Sequence, residues 1–358
     1  VFRFDRSAIM AANPRDLDAL LDLASARREA RDPGGMLEAL DRVLAMAPGH
    51  LGALMMKADH FAAAGDGRAA QAFYGAIASR APPAHTLPPI VRAQVERARA
   101  RAAGYARAFE DHLTAAVDRA GGAPTARFAR SIDLLLGKAD VYLQQPTSFY
   151  FPELPQRAFY ERAEMPWTSA LETETPAIRE ELLAVMREEG AFQPYVEDDP
   201  TRPPAEFGTL KNSRDWGAFY LIRGGETAPG AAQCPRTMAA LARVPLTDAP
   251  GRTPSVLFSR LEPGARIHPH HGQINARLIC HLPLIVPPGC ALRVGAETRP
   301  WVIGETLIFD DSIEHEAWNN SGETRVVLLF EIWRPELTAA ERAAVAALLA
   351  AVGTYGKN

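Results

Sequence analysis

The chain has 358 residues, of which 47% are hydrophobic and 23% charged, and a formal charge of −4 at pH 7. This length fits two domains or one large domain with an appendage, and the composition is that of a folded chain rather than a disordered one. With 39 Lys and Arg against 43 Asp and Glu, no bulk field recruits a polyanion, which excludes nucleic acid as the default partner. Every apolar run is interrupted by Arg, Asp or Pro before the roughly 18 residues that a membrane span requires, and residues 1–10 lack the apolar region of a signal peptide. The expected location is cytoplasmic, although the start at Val1 leaves earlier processing open. Three cysteines, Cys234, Cys280 and Cys290, make neither a disulfide framework nor a CxxC pair and are expected to be buried thiols.

Helical periodicity dominates the first third. Pro14, Pro48 and Pro82 are spaced 34 residues apart, and each interval holds two amphipathic stretches, 16–29 with 36–46 and 50–63 with 68–79. Gly34 and Gly35 separate the first pair, and Gly65 and Gly67 the second. Ala24 and Ala58 supply small residues where paired helices approach, while Leu40 and Tyr74 recur at the bulky position. This period and pattern resemble a short tetratricopeptide (TPR) array, predicted over 1–103. Two repeats are fewer than such arrays need to stand alone, so a further helix over 91–113 is expected to complete them. The array offers either a docking surface for a peptide or protein partner, or a scaffold for the rest of the chain.

The segment 104–165 is predicted to be a helical and aromatic linker packed on the next domain, with Phe149, Tyr150, Phe151, Phe159 and Tyr160 as its contact residues. A helix is expected over 176–189, capped by Thr175. From Trp216 onward the period changes. Short β-rich runs at 218–222, 255–260, 277–284, 291–294, 306–309 and 325–333 alternate with Gly and Pro turns, as in a sandwich or barrel. The tail, 338–352, is helical again. Alternation puts Leu278, Cys280, Leu282 and Leu284 on one face of their strand and Arg277, Ile279 and His281 on the other. Arg325 shares a face with Val327 and Leu329, poor company for a guanidinium unless it meets an anion.

Five of the nine histidines, His268, His270, His271, His281 and His315, fall in the β-rich half. If 266–272 is extended, His268 and His270 point one way and His271 the other, toward solvent. An acidic turn, Asp310 and Asp311, leads into His315. Two imidazoles on different strands with an arginine deeper inside suit a mononuclear iron(II) site that also holds a dicarboxylate. The usual facial triad would set an acid two residues after the first His, where this chain has Gly272. On the residues alone, several readings stay open: a pocket of polar histidines without metal, Arg325 paired to Glu331 or Asp311, Ser259 as a plain strand hydroxyl, and Trp216 as core. Asp310 and Asp311 either restore the missing ligand or bind backbone N–H groups and orient His315.

The blocks Pro269-His270-His271-Gly272, Asn275-Ala276-Arg277-Leu278, His281-Leu282, Phe309 to Glu316 and Ile332-Trp333-Arg334-Pro335 resemble the aspartyl/asparaginyl β-hydroxylase family of 2-oxoglutarate oxygenases, over about residues 150–336. The resemblance implies an α+β chain: TPR-like helical hairpins, then a double-stranded β-helix (jelly-roll or cupin-like) oxygenase domain over 166–340 with flanking helices, and a C-terminal helix over 341–358. It implies His270 and His315 as catalytic iron ligands in a site with Gly in place of the acid. It further implies Arg325 and Ser259 at the distal carboxylate of 2-oxoglutarate, His281 near its other end, Arg277 beside cosubstrate or substrate, and Trp216 edging the pocket. Fe(II), 2-oxoglutarate and O2 are the implied cofactor and cosubstrates. The implied reaction hydroxylates an unactivated C–H bond, in the family the β-carbon of Asp or Asn in a peptide or protein. Alternatives are the same chemistry on a small molecule, free amino acid or lipid-linked acyl chain, or a non-catalytic binding or adaptor protein. Ile279 stands where animal members acting on EGF-like domains carry a second basic residue, which leaves the substrate open.

Overall fold

The computed structural model describes residues 14–121, 125–196 and 212–355. The chain divides into two compact units that meet at Ala139 and Asp140. The first contains α1 (Pro14–Glu29), α2 (Pro33–Met46), α3 (Leu51–Ala63), α4 (Gly67–Arg80), α5 (Pro89–Arg119) and α6 (Ala126–Leu135). Residues 1–13 of the expected repeat region lie outside the described residues.

Local chemistry accounts for these helices. Pro33 opens α2 and Asp32 caps it by accepting from Gly35 N, while Asp66 caps α4 by accepting from Ala69 N. Gly65, at φ 79°, makes the left-handed turn between α3 and α4. Ala24 and Ala58 are completely buried, which lets α1 pack on α2 and α3 on α4, and Leu40 and Tyr74 fill the space between. The helix α5 packs on α4, where a helix over 91–113 was expected to complete the repeats, and the first unit runs to Ala139.

The second unit contains β1 (Phe159–Tyr160), α7 (Thr168–Thr173), α8 (Thr175–Val185), β2 (Gln193–Pro194), β3 (Trp216–Arg223), β4 (Glu226–Thr227), α9 (Pro235–Leu241), β5 (Val256–Leu261), β6 (Arg266–His270), β7 (Arg277–Ile285), β8 (Cys290–Val294), β9 (Glu297–Pro300), β10 (Leu307–Phe309), β11 (His315–Asn319), β12 (Arg325–Trp333) and α10 (Ala339–Thr354). Thr175 is not a cap: α8 follows α7 directly, and the Thr175 hydroxyl donates back to Glu172 O at 2.6 Å. Thr338 and Glu341, by contrast, form a complete capping box for α10.

The strands make two antiparallel sheets in a jelly-roll-like arrangement. The larger runs β1-β10-β7-β12-β5-β3-β2, with β4 on β3, and the smaller runs β6-β11-β8-β9. One face of the larger sheet, through Leu278, Cys280, Leu282 and Leu284, packs on Ile178 and Leu182 of α8 and Leu241 of α9. Its other face, through Leu257, Ile279, Val327 and Leu329, meets Ile267, Leu292, Val294 and Ala317 of the smaller sheet. Period-2 alternation in β7 and β12 thus separates a helix-covered core from an inter-sheet space that also receives the polar residues of the same face. All three cysteines are free and buried. Among the described residues, no helix is long and apolar enough to cross a membrane.

Candidate metal and carboxylate site

A cavity of about 170 Å³ opens between the two sheets, and Trp216, Ser259, His270, Arg277, His281, His315 and Arg325 all line it. Strand pairing brings the two histidines together. His270 of β6 sits opposite His315 of β11, whereas Ile267 sits opposite Ala317, a register shift of one residue. The extra residue is a β-bulge, and it reverses the alternation expected for 266–272. Consequently Ile267 and His270 both face the cavity, His268 is exposed, and His271 lines the cavity instead of facing solvent.

The two imidazole rings lie with centroids 4.1 Å apart at 50°. Each Nδ1 meets a carbonyl two residues back, His268 O at 2.8 Å for His270 and Ile313 O at 3.1 Å for His315. A nitrogen facing a carbonyl must donate, so both rings carry their proton on Nδ1 and the lone pair on Nε2, the tautomer that a metal ligand uses. Burial lowers the pKa of both, that of His315 further with His270 beside it, so the rings are neutral at neutral pH.

The acidic turn before His315 is held from below. Asp310 accepts from Ser312 N at 3.0 Å and pairs with the fully buried Arg334 at 2.8 Å, and Gln144 Nε2 donates to it at 2.7 Å. Asp310 thereby orients the turn and does not reach the metal position. Asp311 does approach it. A Cβ built on Gly272 would come within 2.0 Å of Asp311 Oδ2, so the volume that an acid at 272 would need is already filled by the Asp311 carboxylate. Among the described residues, no group of three or more His, Cys, Asp or Glu is arranged to hold a metal.

The cations divide sharply. Arg277 is clasped by Asp311 at 3.1 Å and Glu331 at 3.4 Å. Burial works against its charge, yet the two carboxylates outweigh that and raise its pKa. Arg325, only 1% exposed, has no carboxylate partner among the described residues. Its Nη1 donates to Ser259 O at 3.3 Å, its Nε has no partner, and burial drops its pKa to about 10. The pairing of Arg325 with Glu331 or Asp311 left open by the sequence is therefore absent, because Arg277 takes both acids. A buried guanidinium without a counter-ion is costly unless a ligand completes it, and its fork fits a carboxylate.

Three neighbours that the sequence pattern does not mark as site residues, Trp301, Tyr195 and Glu331, stand around these groups. Trp301 lies under the Arg325 guanidinium, 4.6 Å from ring centroid to Cζ, and its indole donates to His281 Nδ1 at 3.2 Å. The His281 ring, its pKa lowered well below the usual value by burial and then by Arg325, keeps its own proton on Nε2 as a donor into the cavity. Trp216 donates to Ser259 Oγ at 3.2 Å, and Tyr195 stacks on Trp216 at 4.1 Å. Glu331, offered by the sequence only as a partner for Arg325, lines the cavity as a partner of Arg277. Two neutral imidazoles that can share one ion, beside a guanidinium lacking an anion, fit a mononuclear metal and an acidic cosubstrate.

A two-sheet β fold with this donor set defines a jelly-roll-like protein equipped for a metal and a carboxylate in one cavity. Sequence comparison narrows that class. Over residues 172–335 the chain is similar to the family described as aspartyl/asparaginyl beta-hydroxylase. It is 33% identical over 216 residues to the aspartyl/asparaginyl beta-hydroxylase of Homo sapiens, covering 56% of this chain and 27% of that protein. It is 35% identical over 189 residues to an ornithine lipid ester-linked acyl 2-hydroxylase of Rhizobium tropici, covering 52% of this chain and 63% of that protein. The chain thus spans less than two thirds of either relative. The crystal structure of a Pseudomonas putida prolyl-4-hydroxylase is similar over 47% of this chain and 98% of that chain, with a TM-score of 0.29 at 15% identity.

Proposed function

We propose that this protein is an iron(II)- and 2-oxoglutarate-dependent dioxygenase that hydroxylates an unactivated C–H bond, with its catalytic unit a double-stranded β-helix and its N-terminal hairpins a TPR-like arm. The observation that carries the reading is the adjacency, in one cavity, of the His270 and His315 rings and the anion-lacking Arg325. Bound there, iron with 2-oxoglutarate and O2 supplies the oxidation of C–H to C–OH, with succinate and CO2 as coproducts.

The residues divide the remaining work. His270 and His315 present Nε2 lone pairs and, being neutral, leave the metal's charge to the dicarboxylate. Arg325, with Ser259 and Trp216 beside it, holds one carboxylate, and His281 Nε2 donates a further hydrogen bond. Apolar walls from Ile279, Leu292 and Leu329 exclude water from the reacting carbon. By family resemblance the substrate is the β-carbon of Asp or Asn in a peptide or protein. A second reading, the same chemistry on a lipid-linked acyl chain, is favoured by Ile279, whose apolar side chain on the cavity wall gives an acidic substrate no second cation.

The test is anaerobic loading with Fe(II), followed by O2-dependent succinate formation in the wild type and in His315→Ala. Succinate formed at the wild-type rate by the variant removes His315 from the mechanism.

A further inference from the structure

His270 is the last residue of β6 and His315 the first of β11, so both rings stand where a strand gives way to a loop. The ladder between the two strands is interrupted by the bulge one step further in, and loops are the more mobile parts of a fold. Gly272 N donates to Asp311 O at 2.6 Å between the two loops, and a third segment ties both. That segment, 144–151, lies outside every helix and strand and precedes the region of family similarity at 172–335. On the His315 side Gln145 N donates to Ser312 O at 2.7 Å, and Gln144 forms an isolated bridge with Ile313. On the His270 side Thr147 N donates to Gly272 O at 2.9 Å, and Ser148 N and Phe149 N donate to Gln273 O at 2.9 and 3.0 Å. Phe149 and Phe151 pack with Ile274 and Trp333, which anchors the far end of the segment.

Gln144 joins the two loops through one side chain. Its Nε2 donates to Asp310 Oδ2 at 2.7 Å, before His315, and its Oε1 accepts from Asn275 Nδ2 at 3.0 Å, beyond His270. All three side chains are buried, those of Asn275 and Asp310 completely. A carboxamide meets both demands at once: a carboxylate at 144 would have no proton to give Asp310, and an ammonium could not accept from Asn275. A segment that needed merely to be fastened to the sheets could bond anywhere along them, yet these bonds converge on the two turns that carry the rings. With Gly272 where an acid would stand, holding an ion depends closely on the spacing of two imidazoles. We infer that 144–151 is a positioning strap for the metal pair, in which Gln144 fixes the loop after His270 against the turn before His315. The inference rests on the metal-site reading and adds to it a residue that acts through the ligands and touches neither ion nor substrate.

The test is calorimetric titration of Co(II) into the full chain, with the visible Co(II) spectrum recorded alongside. Gln144→Met keeps the length of the side chain and loses both hydrogen bonds, while Asp310 retains Ser312 and Arg334. It is expected to weaken Co(II) about ten-fold, the usual effect of removing a group that orients metal ligands, and to alter the spectrum. Ile178→Val, a loss of volume in the helix-covered core, is the destabilised control and is expected to change neither. A second measurement needs no variant. If the docked strap binds the ion about ten-fold more tightly, Co(II) must favour the docked strap by the same factor. Hydrogen exchange at the Thr147, Ser148 and Phe149 amides is then expected to slow about ten-fold on saturation with Co(II). Unchanged Co(II) affinity in Gln144→Met, an equal loss in Ile178→Val, or strap amides that exchange at one rate with and without Co(II) would each overturn the positioning role while leaving the metal site in place. Co(II) bound as tightly by His315→Ala as by the wild type would remove the metal-site reading itself, and the strap's role with it.

Discussion

Replacing Arg325 by Met separates a ligand-holding guanidinium from a structural one, because the two roles predict opposite effects on the free protein. Burial lowers the Arg325 pKa from 12.5 to about 10, which corresponds to about 3 kcal/mol of unfavourable charge burial that Met would relieve. Against this, Met loses the stack on Trp301, worth about 1 to 2 kcal/mol, and the 3.3 Å bond to Ser259 O, worth about 1 kcal/mol. The balance is near zero. The free variant should therefore melt within roughly 2 to 4 °C of wild type, the equivalent of about 1 kcal/mol for a unit of this size. The liganded proteins should differ far more. At a concentration about 100 times its Kd, 2-oxoglutarate with Mn(II) should stabilise the wild type by about 2.7 kcal/mol, or roughly 5 to 10 °C, and Arg325→Met by almost nothing. Differential scanning calorimetry reads both quantities. A free variant destabilised by the 3 to 5 kcal/mol typical of a broken buried ion pair, or one still stabilised by 2-oxoglutarate, would refute the reasoning.

Three further expectations follow from the same geometry. Burial and Arg325 lower the His281 pKa, so the unfolded chain binds a proton that the folded chain does not. Its contribution is present above the ordinary histidine pKa of about 6.5 and is lost as pH falls below it, by up to about 1.4 kcal/mol per pH unit. His281→Gln, which keeps an acceptor for Trp301, should flatten the decline in urea-unfolding stability between pH 7 and 5, and an unchanged slope contradicts the assignment. Gly272→Ala should displace the Asp311 carboxylate and cost about 1 to 3 kcal/mol, with the double variant Gly272→Ala/Asp311→Gly recovering stability that either single change lacks; additive losses would mean that the two positions do not share one volume. Arg334→Met leaves Asp310 as a buried, unpaired acid and should cost about 3 to 5 kcal/mol in chemical denaturation, whereas a loss under 1 kcal/mol would show that Asp310 does not depend on that partner.

How far a residue could be read from the sequence depends on whether its position follows from a local period. β7 and β12 obey strict alternation, so the opposite faces of Leu278 and Arg277, and the placing of Arg325 beside Val327, were legible from the chain alone. The paired helices were legible for the same reason, since proline spacing and caps are local. Alternation fails at the bulge before His270, because one inserted residue shifts the phase of everything after it and exchanges the directions expected for His268 and His271.

The role of Arg277 shows a different limit. Its inward direction follows from the period of β7, but its charge state does not, because the acids that clasp it arrive from separate elements, Asp311 before β11 and Glu331 within β12. The same pairing decides the character of Arg325: once both acids are taken, its guanidinium has no internal counter-ion and its Nε is left without a partner. Trp301 and His281 then place a π-face and an N–H donor around that unpaired charge without adding an acid. A site of this kind is specified by which pairs close and which do not. Exchanging the partners, for example by moving an acid from Asp311 to a position beside Arg325, would leave composition, fold and histidine pair intact while removing the capacity to hold a carboxylate.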